Sequence, residues 1–154
     1  MVFSKGPAAE AIVASTAIPG AFSPVHYGDH YLADGALSSN TPVRIAIKKG
    51  ARRLIILPTG HACANDAPPV GALANALHAL TLLIARQLVN ELEDLGPEIA
   101  YFVVPPLCPL AGSPYDFSST AEHIERARQT TDDWIAAGGL TQQEIPHELR
   151  PHEH

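Results

Sequence analysis

A chain of 154 residues, 46% hydrophobic and 17% charged, has the length of one domain or part of one and enough apolar material for a core. Its formal net charge of -6 and the lack of any basic run exclude nucleic acid as the main partner. The 14 prolines and 11 glycines predict a chain rich in loops.

The two cysteines, Cys63 and Cys108, are far apart and suggest no disulfide framework, so a reducing setting is the default. Met1 to Pro7 lacks the long apolar core of a signal peptide, which leaves a cytoplasmic location as the default. Cys63 lies near His61, but two potential ligands do not make a zinc site. One loop thiol and one buried thiol, with no metal, is the simpler reading.

Ala8 to Ala17 is small and apolar and predicts a tightly packed short helix, stopped by Pro19 and Gly20. Ala21 to Tyr27 suits an extended connection, and Tyr31 to Ala33 a short strand. Asn40 or Thr41 can cap a helix that has Pro42 in its first turn, continues through Ile45 and Ile47, and ends at Gly50. Arg53 to Pro58 is a continuous apolar run, the pattern of a parallel strand buried on both faces. Thr59 to Pro69 reads as loop.

Val70 to Leu95 predicts a long helix. Leu73, Leu77, Leu80, Ile84, Leu88, Leu92 and Leu95 recur at steps of three or four and form one stripe. Asn75, His78 and Arg86 interrupt the apolar run, which favours a core helix over a membrane span. His78 reads as a packed histidine rather than a ligand. Ile99 to Val104 predicts a second buried strand, and Leu107 to Phe117 a proline-rich loop. A helix then runs from Ala121 to about Ala137, with Ile124, Ala127, Thr131, Trp134 and Ile135 on one face, and Gly138 and Gly139 end it. Residues 140–154, with Pro146, Pro151, His147, His152 and His154, read as a frayed tail without a metal site.

The feature with chemical potential is Tyr31-Leu32-Ala33-Asp34-Gly35-Ala36. A short apolar run delivers Asp34 to the end of a strand, and Gly35 can supply a φ > 0 turn. On these residues alone, a turn cap is the commoner role for an Asp-Gly pair.

The flanks add to that reading. Ala14-Ser15-Thr16-Ala17-Ile18-Pro19-Gly20-Ala21-Phe22-Ser23-Pro24-Val25, the Asp34-Gly35-Ala36 motif and Asn40-Thr41-Pro42-Val43 together resemble the patatin-like phospholipase family. Gly50-Ala51, Leu54-Ile55-Ile56-Leu57, Pro105-Pro106-Leu107-Cys108-Pro109-Leu110 and Ser113-Pro114-Tyr115-Asp116-Phe117 continue the resemblance, which runs from about Ala8 to Gly139. It implies a three-layer α/β/α hydrolase fold with a mostly parallel sheet, of which residues 1–139 are the C-terminal portion. It also implies a serine–aspartate dyad acting on a lipid ester, with Asp34 as proton acceptor. No cofactor or metal is implied, and membrane contact is at most peripheral.

Such an enzyme also needs a Gly-x-Ser-x-Gly elbow and a glycine-rich oxyanion loop. Neither occurs in this sequence. Ser113 is followed by Pro114, Ser15 lies within the first helix, and Ser38 and Ser39 follow Asp34 too closely. The chain therefore reads as holding the dyad base without a nucleophile or oxyanion hole, and as inactive by itself. Strands and a helix stripe left partly uncovered would favour self-association. The alternative is a non-catalytic remnant that serves as a protein-interaction module.

Overall fold

The computed structural model describes residues 1–59, 69–109 and 117–152. Within them, the two apolar runs pair as parallel strands, β3 (Arg53–Ile56) and β4 (Ala100–Val103), with Arg53 opposite Ala100 and Ile56 opposite Val103. Ala100 N–H to Arg52 O and Val104 N–H to Ile56 O, both 2.9 Å, extend the ladder at either end. The crossover between them contains α4 (Ala72–Glu93), so β3, α4 and β4 form a βαβ unit.

A second pair lies earlier in the chain. Strands β1 (Val25–Tyr27) and β2 (His30–Leu32) form an antiparallel hairpin, with Val25 opposite Leu32 and Tyr27 opposite His30. The expected extended connection before Tyr27 is thus a strand. Gly28, at φ +56, and Asp29, at negative φ, make a two-residue turn of the type II′ pattern. The remaining helices are α1 (Ala8–Ser15), α2 (Ala36–Ser39), α3 (Val43–Lys48) and α5 (Thr120–Ala136). The fold is mixed α/β with a parallel strand pair and flanking helices.

The core is built on one face of that pair. Ile56 and Val103 meet Val43 of α3, Leu88, Val89 and Leu92 of α4, and Leu149. Each such side chain contributes roughly 1.5–3 kcal/mol relative to an exposed one. The strand β3 is not buried on both faces: Ile55 is 54% exposed and Leu57, just beyond it, 70% exposed. On the same face only the β4 side is covered, where Phe102 is buried and the Arg53 guanidinium lies 5.0 Å from its ring centroid.

Helix α4 divides the same way. Its C-terminal half buries Ala85, Leu88, Val89 and Leu92, as a core helix should. Its N-terminal half does not: Leu73 and Leu82 are exposed, as is Leu83 at the midpoint, and 17% of an apolar 18-residue window is buried. By length and composition α4 could also cross a membrane.

Three local expectations are corrected. Neither Asn40 nor Thr41 caps α3; Pro42 occupies the cap position and no side chain bonds there. At the other end Gly50, at φ +100, closes a Schellman motif, with Gly50 N–H on Ile47 O at 2.9 Å and Ala51 N–H on Ala46 O at 3.0 Å. Helix α1 is tightly packed only through Ala14 and, past its end, Ala17, while Ile12 and Val13 are exposed. Helix α5 has no fully buried residue; His123, Ala127, Thr131 and Trp134 form its half-buried stripe, and Ile124 and Ile135 face solvent.

The segment expected to fray after Gly139 is instead docked. It forms short 3-10 turns at Gly139–Thr141 and His147–Leu149. Leu149 is 2% exposed, Ile145 packs beside it, and Gln143 Oε1 accepts from Tyr101 N–H at 3.0 Å. Arg150 bridges to Glu93 of α4 at 2.7 Å. Two apolar residues spaced to reach one core outweigh the polar composition around them. His154 and the His61–Cys63 pair lie outside the described residues.

Candidate active site

The β1–β2 hairpin sets the position of Asp34, two residues past the end of β2. Its backbone N–H donates to Ala17 O at 3.0 Å, tying the end of the hairpin to the end of α1. The buried small side chains of Ala14 and Ala17 permit that approach. The half-buried Asp34 carboxylate turns back on its own chain: Oδ1 accepts from Ala36 N–H at 2.8 Å. Among the described residues Oδ2 has no hydrogen-bond partner.

Gly35 does not play the role read from the sequence. It lies in the right-handed helical region, at φ -67 and ψ -12, and begins the single turn of α2. The turn after Asp34 is helical, with Ser38 N–H and Ser39 N–H both on Gly35 O at 2.9 Å. The Asp34 carboxylate caps this turn through Ala36 N–H.

Helix α4 holds α2 in place. Gln87 Nε2 donates to Ser38 O, and Ser39 Oγ donates to Glu91 Oε1 at 3.3 Å. Glu91 Oε2 is buried and has no partner among the described residues. Sequence reading passed over this glutamate. Its place between Leu88 and Leu92 of the apolar stripe was the available signal.

A cavity of about 520 Å³ opens beside the Asp34 segment, lined by Ala33 and Gly35, by Tyr27 and Leu32 of the hairpin, and by Pro7, Ala11 and Ser15. The Phe3 and Tyr27 rings, 4.8 Å apart, form part of its wall. Ser15 is the last residue of α1, where the helix presents carbonyls. A nucleophile elbow needs the opposite end, where free N–H groups can hold an oxyanion. Ser38 Oγ donates to Gly35 O at 3.1 Å, and the single hydroxyl proton of Ser39 is shared between Thr41 O at 3.1 Å and Glu91 Oε1 at 3.3 Å. None of the described serines bonds to Asp34; Ser113 lies outside the described residues. Among the described residues no group of three or more His, Cys, Asp and Glu is arranged to hold a metal.

Hairpin, strand-end carboxylate and adjoining cavity fall within one stretch that a family model also picks out. The model described as patatin-like phospholipase matches residues 2–47, from the N-terminal coil through Asp34 into α3. Over that stretch the chain is similar to a family of lipid hydrolases, and the resemblance read from the Asp34 motif and its flanks is shown there. The resembling stretches at Leu54–Leu57 and 105–117 lie beyond the match. No curated protein matches the chain.

Proposed function

We propose that this chain is part of a patatin-like lipid acyl hydrolase and supplies the aspartate of its serine–aspartate dyad. The observation that carries the reading is the family match over residues 2–47 with Asp34-Gly35-Ala36 inside it. In this reading, residues 1–139 form the C-terminal portion of a three-layer α/β/α domain, and the nucleophile and oxyanion donors come from a segment outside this sequence.

The chemistry follows from the carboxylate. A serine hydroxyl attacks an ester carbonyl only when a base within hydrogen-bond reach takes its proton. The bond from Ala36 N–H fixes the plane of the Asp34 carboxylate, and Oδ2 remains to accept that proton. The serine oxygen bonds to the carbonyl carbon, and the C–O bond to the alcohol breaks as Asp34 returns its proton to the departing oxygen. Water, giving a proton to Asp34 in turn, then attacks the acyl carbon and releases the acid from serine. The substrate class is a lipid or other carboxylic ester, and no metal or cofactor takes part.

The test is Asp34→Asn in a polypeptide joining this chain to a segment with the glycine-rich loop and Gly-x-Ser-x-Gly. Hydrolysis of a short p-nitrophenyl ester should fall by about 10²-fold or more. Wild-type turnover would end the dyad assignment. Residues 1–154 alone should show no turnover above the buffer rate.

A second reading, a non-catalytic interaction module, draws on the exposed Ile55, Leu57 and Leu83. Reading the coding sequence upstream of Met1 separates the two. An in-frame Gly-x-Ser-x-Gly favours the hydrolase, and its lack favours the module.

A further inference from the structure

Away from Asp34, a thiol and an imidazole meet. Cys108 lies beyond β4, and its Sγ is 3.0 Å from His152 Nε2. The other ring nitrogen, Nδ1, is 2.8 Å from Arg150 O. A carbonyl oxygen only accepts, so in the neutral ring Nδ1 carries the proton and Nε2 turns its lone pair to the thiol. Nucleophile, base and an acceptor that orients the base are thus in line, the arrangement that activates a thiol.

The fold holds this pair in place. Leu149 is buried in the core, and Arg150 is anchored to Glu93, so the segment carrying His152 is fixed on both counts. Other charged and titratable groups lie on the residues next to the pair. Arg126 of α5 donates from Nη2 to Pro109 O at 3.0 Å, next to Cys108. The His147 ring lies 5.3 Å from that of His152 and meets Glu148 at 3.3 Å. Cys108 is half-buried, so small reagents can reach it.

We propose that Cys108 is an imidazole-activated thiol that is S-thiolated by low-molecular-weight disulfides. The thiol proton passes to His152 Nε2, and Sγ attacks one sulfur of the disulfide. A new S–S bond forms, the old one breaks, and the departing thiolate takes the proton back from His152. Cys108 is oxidised to a mixed disulfide, and one equivalent of free thiol is the reduced product.

The test uses the full chain with Cys63→Ser, which leaves Cys108 as its one thiol. Alkylation by iodoacetamide is followed from pH 8 to pH 6, and oxidised glutathione is added with intact-mass readout. An ordinary thiol loses about 80-fold in rate over that interval, because its thiolate fraction collapses. Cys108 should lose less than about tenfold and should take up one glutathione per chain. Adding His152→Gln should restore the steep loss. The proposal is overturned by a steep loss with His152 present, by an unchanged shallow profile in His152→Gln, or by modification only in denaturant. The first and last need no His152 variant, so they hold even if that substitution unfolds the protein.

Discussion

Ala36 N–H reaches back to Asp34 Oδ1 at 2.8 Å, the turn-cap role that the Asp-Gly pair suggests in the sequence. Asp34 caps its turn with one oxygen, and in the proposed function the other accepts the serine proton. Asn keeps the capping oxygen, so Asp34→Asn should retain the fold, and circular dichroism should match the wild type while hydrolysis is lost. Gly35 has helical backbone angles, and a Cβ there would meet nothing within 4 Å. Gly35→Ala should therefore stabilise the chain by about 0.4–1 kcal/mol, through a less flexible unfolded state, as read from the denaturant midpoint. Gly139 is the opposite case, because a Cβ at that position would overlap the Trp134 ring.

Among the elements, the C-terminal segment carries more of the fold than its composition suggests. Leu149 fills the core between α4 and the parallel pair. Leu149→Ala should cost about 2–5 kcal/mol, measured by urea unfolding. If the segment contributed only surface contacts, the change would stay near zero. On α5, Arg128 bridges Glu125 at 2.6 Å and Asp132 at 2.7 Å.

The Arg128 guanidinium holds the Glu125 carboxyl below its ordinary value. A lowered carboxyl contributes stability above its unfolded value and loses it as pH falls through the folded one. The pair is solvent-exposed, so the contribution is small and falls with added salt. In an NMR titration, Arg128→Ala should return Glu125 to the ordinary range.

For the whole molecule, the dominant fact is uncovered apolar surface. Ile55 and Leu57 on the sheet, Leu73, Leu82 and Leu83 on α4, and Ile124 and Ile135 on α5 all face solvent. Patches of this kind favour association. The isolated chain should show a concentration-dependent mass in sedimentation, and Leu57→Glu with Leu83→Lys should shift it towards monomer. An unchanged monomer at all concentrations would remove self-association from the picture.

Much of the architecture was legible because periodicity and breakers act locally. Both parallel strands, the long helix and α5 fall where apolar runs, prolines and glycines put them. The β1–β2 hairpin was missed although Gly28-Asp29 is a recognised turn pair, because Pro24 weakened the strand signal. The Asp34 motif was visible as residue types, whereas its bond to Ala36 and its tie to Ala17 depend on backbone geometry.

The sequence by itself determined the two parallel strands and the long helix between them, the strand-end aspartate and the lack of a Gly-x-Ser-x-Gly elbow, because these follow from residue type and near-neighbour spacing. Only the tertiary structure decided that one face of β3 and half of α4 stay bare. It also decided that Leu149 enters the core and that His152 meets Cys108. Those outcomes depend on contacts between residues far apart in the chain, and no local pattern encodes which apolar face finds a partner.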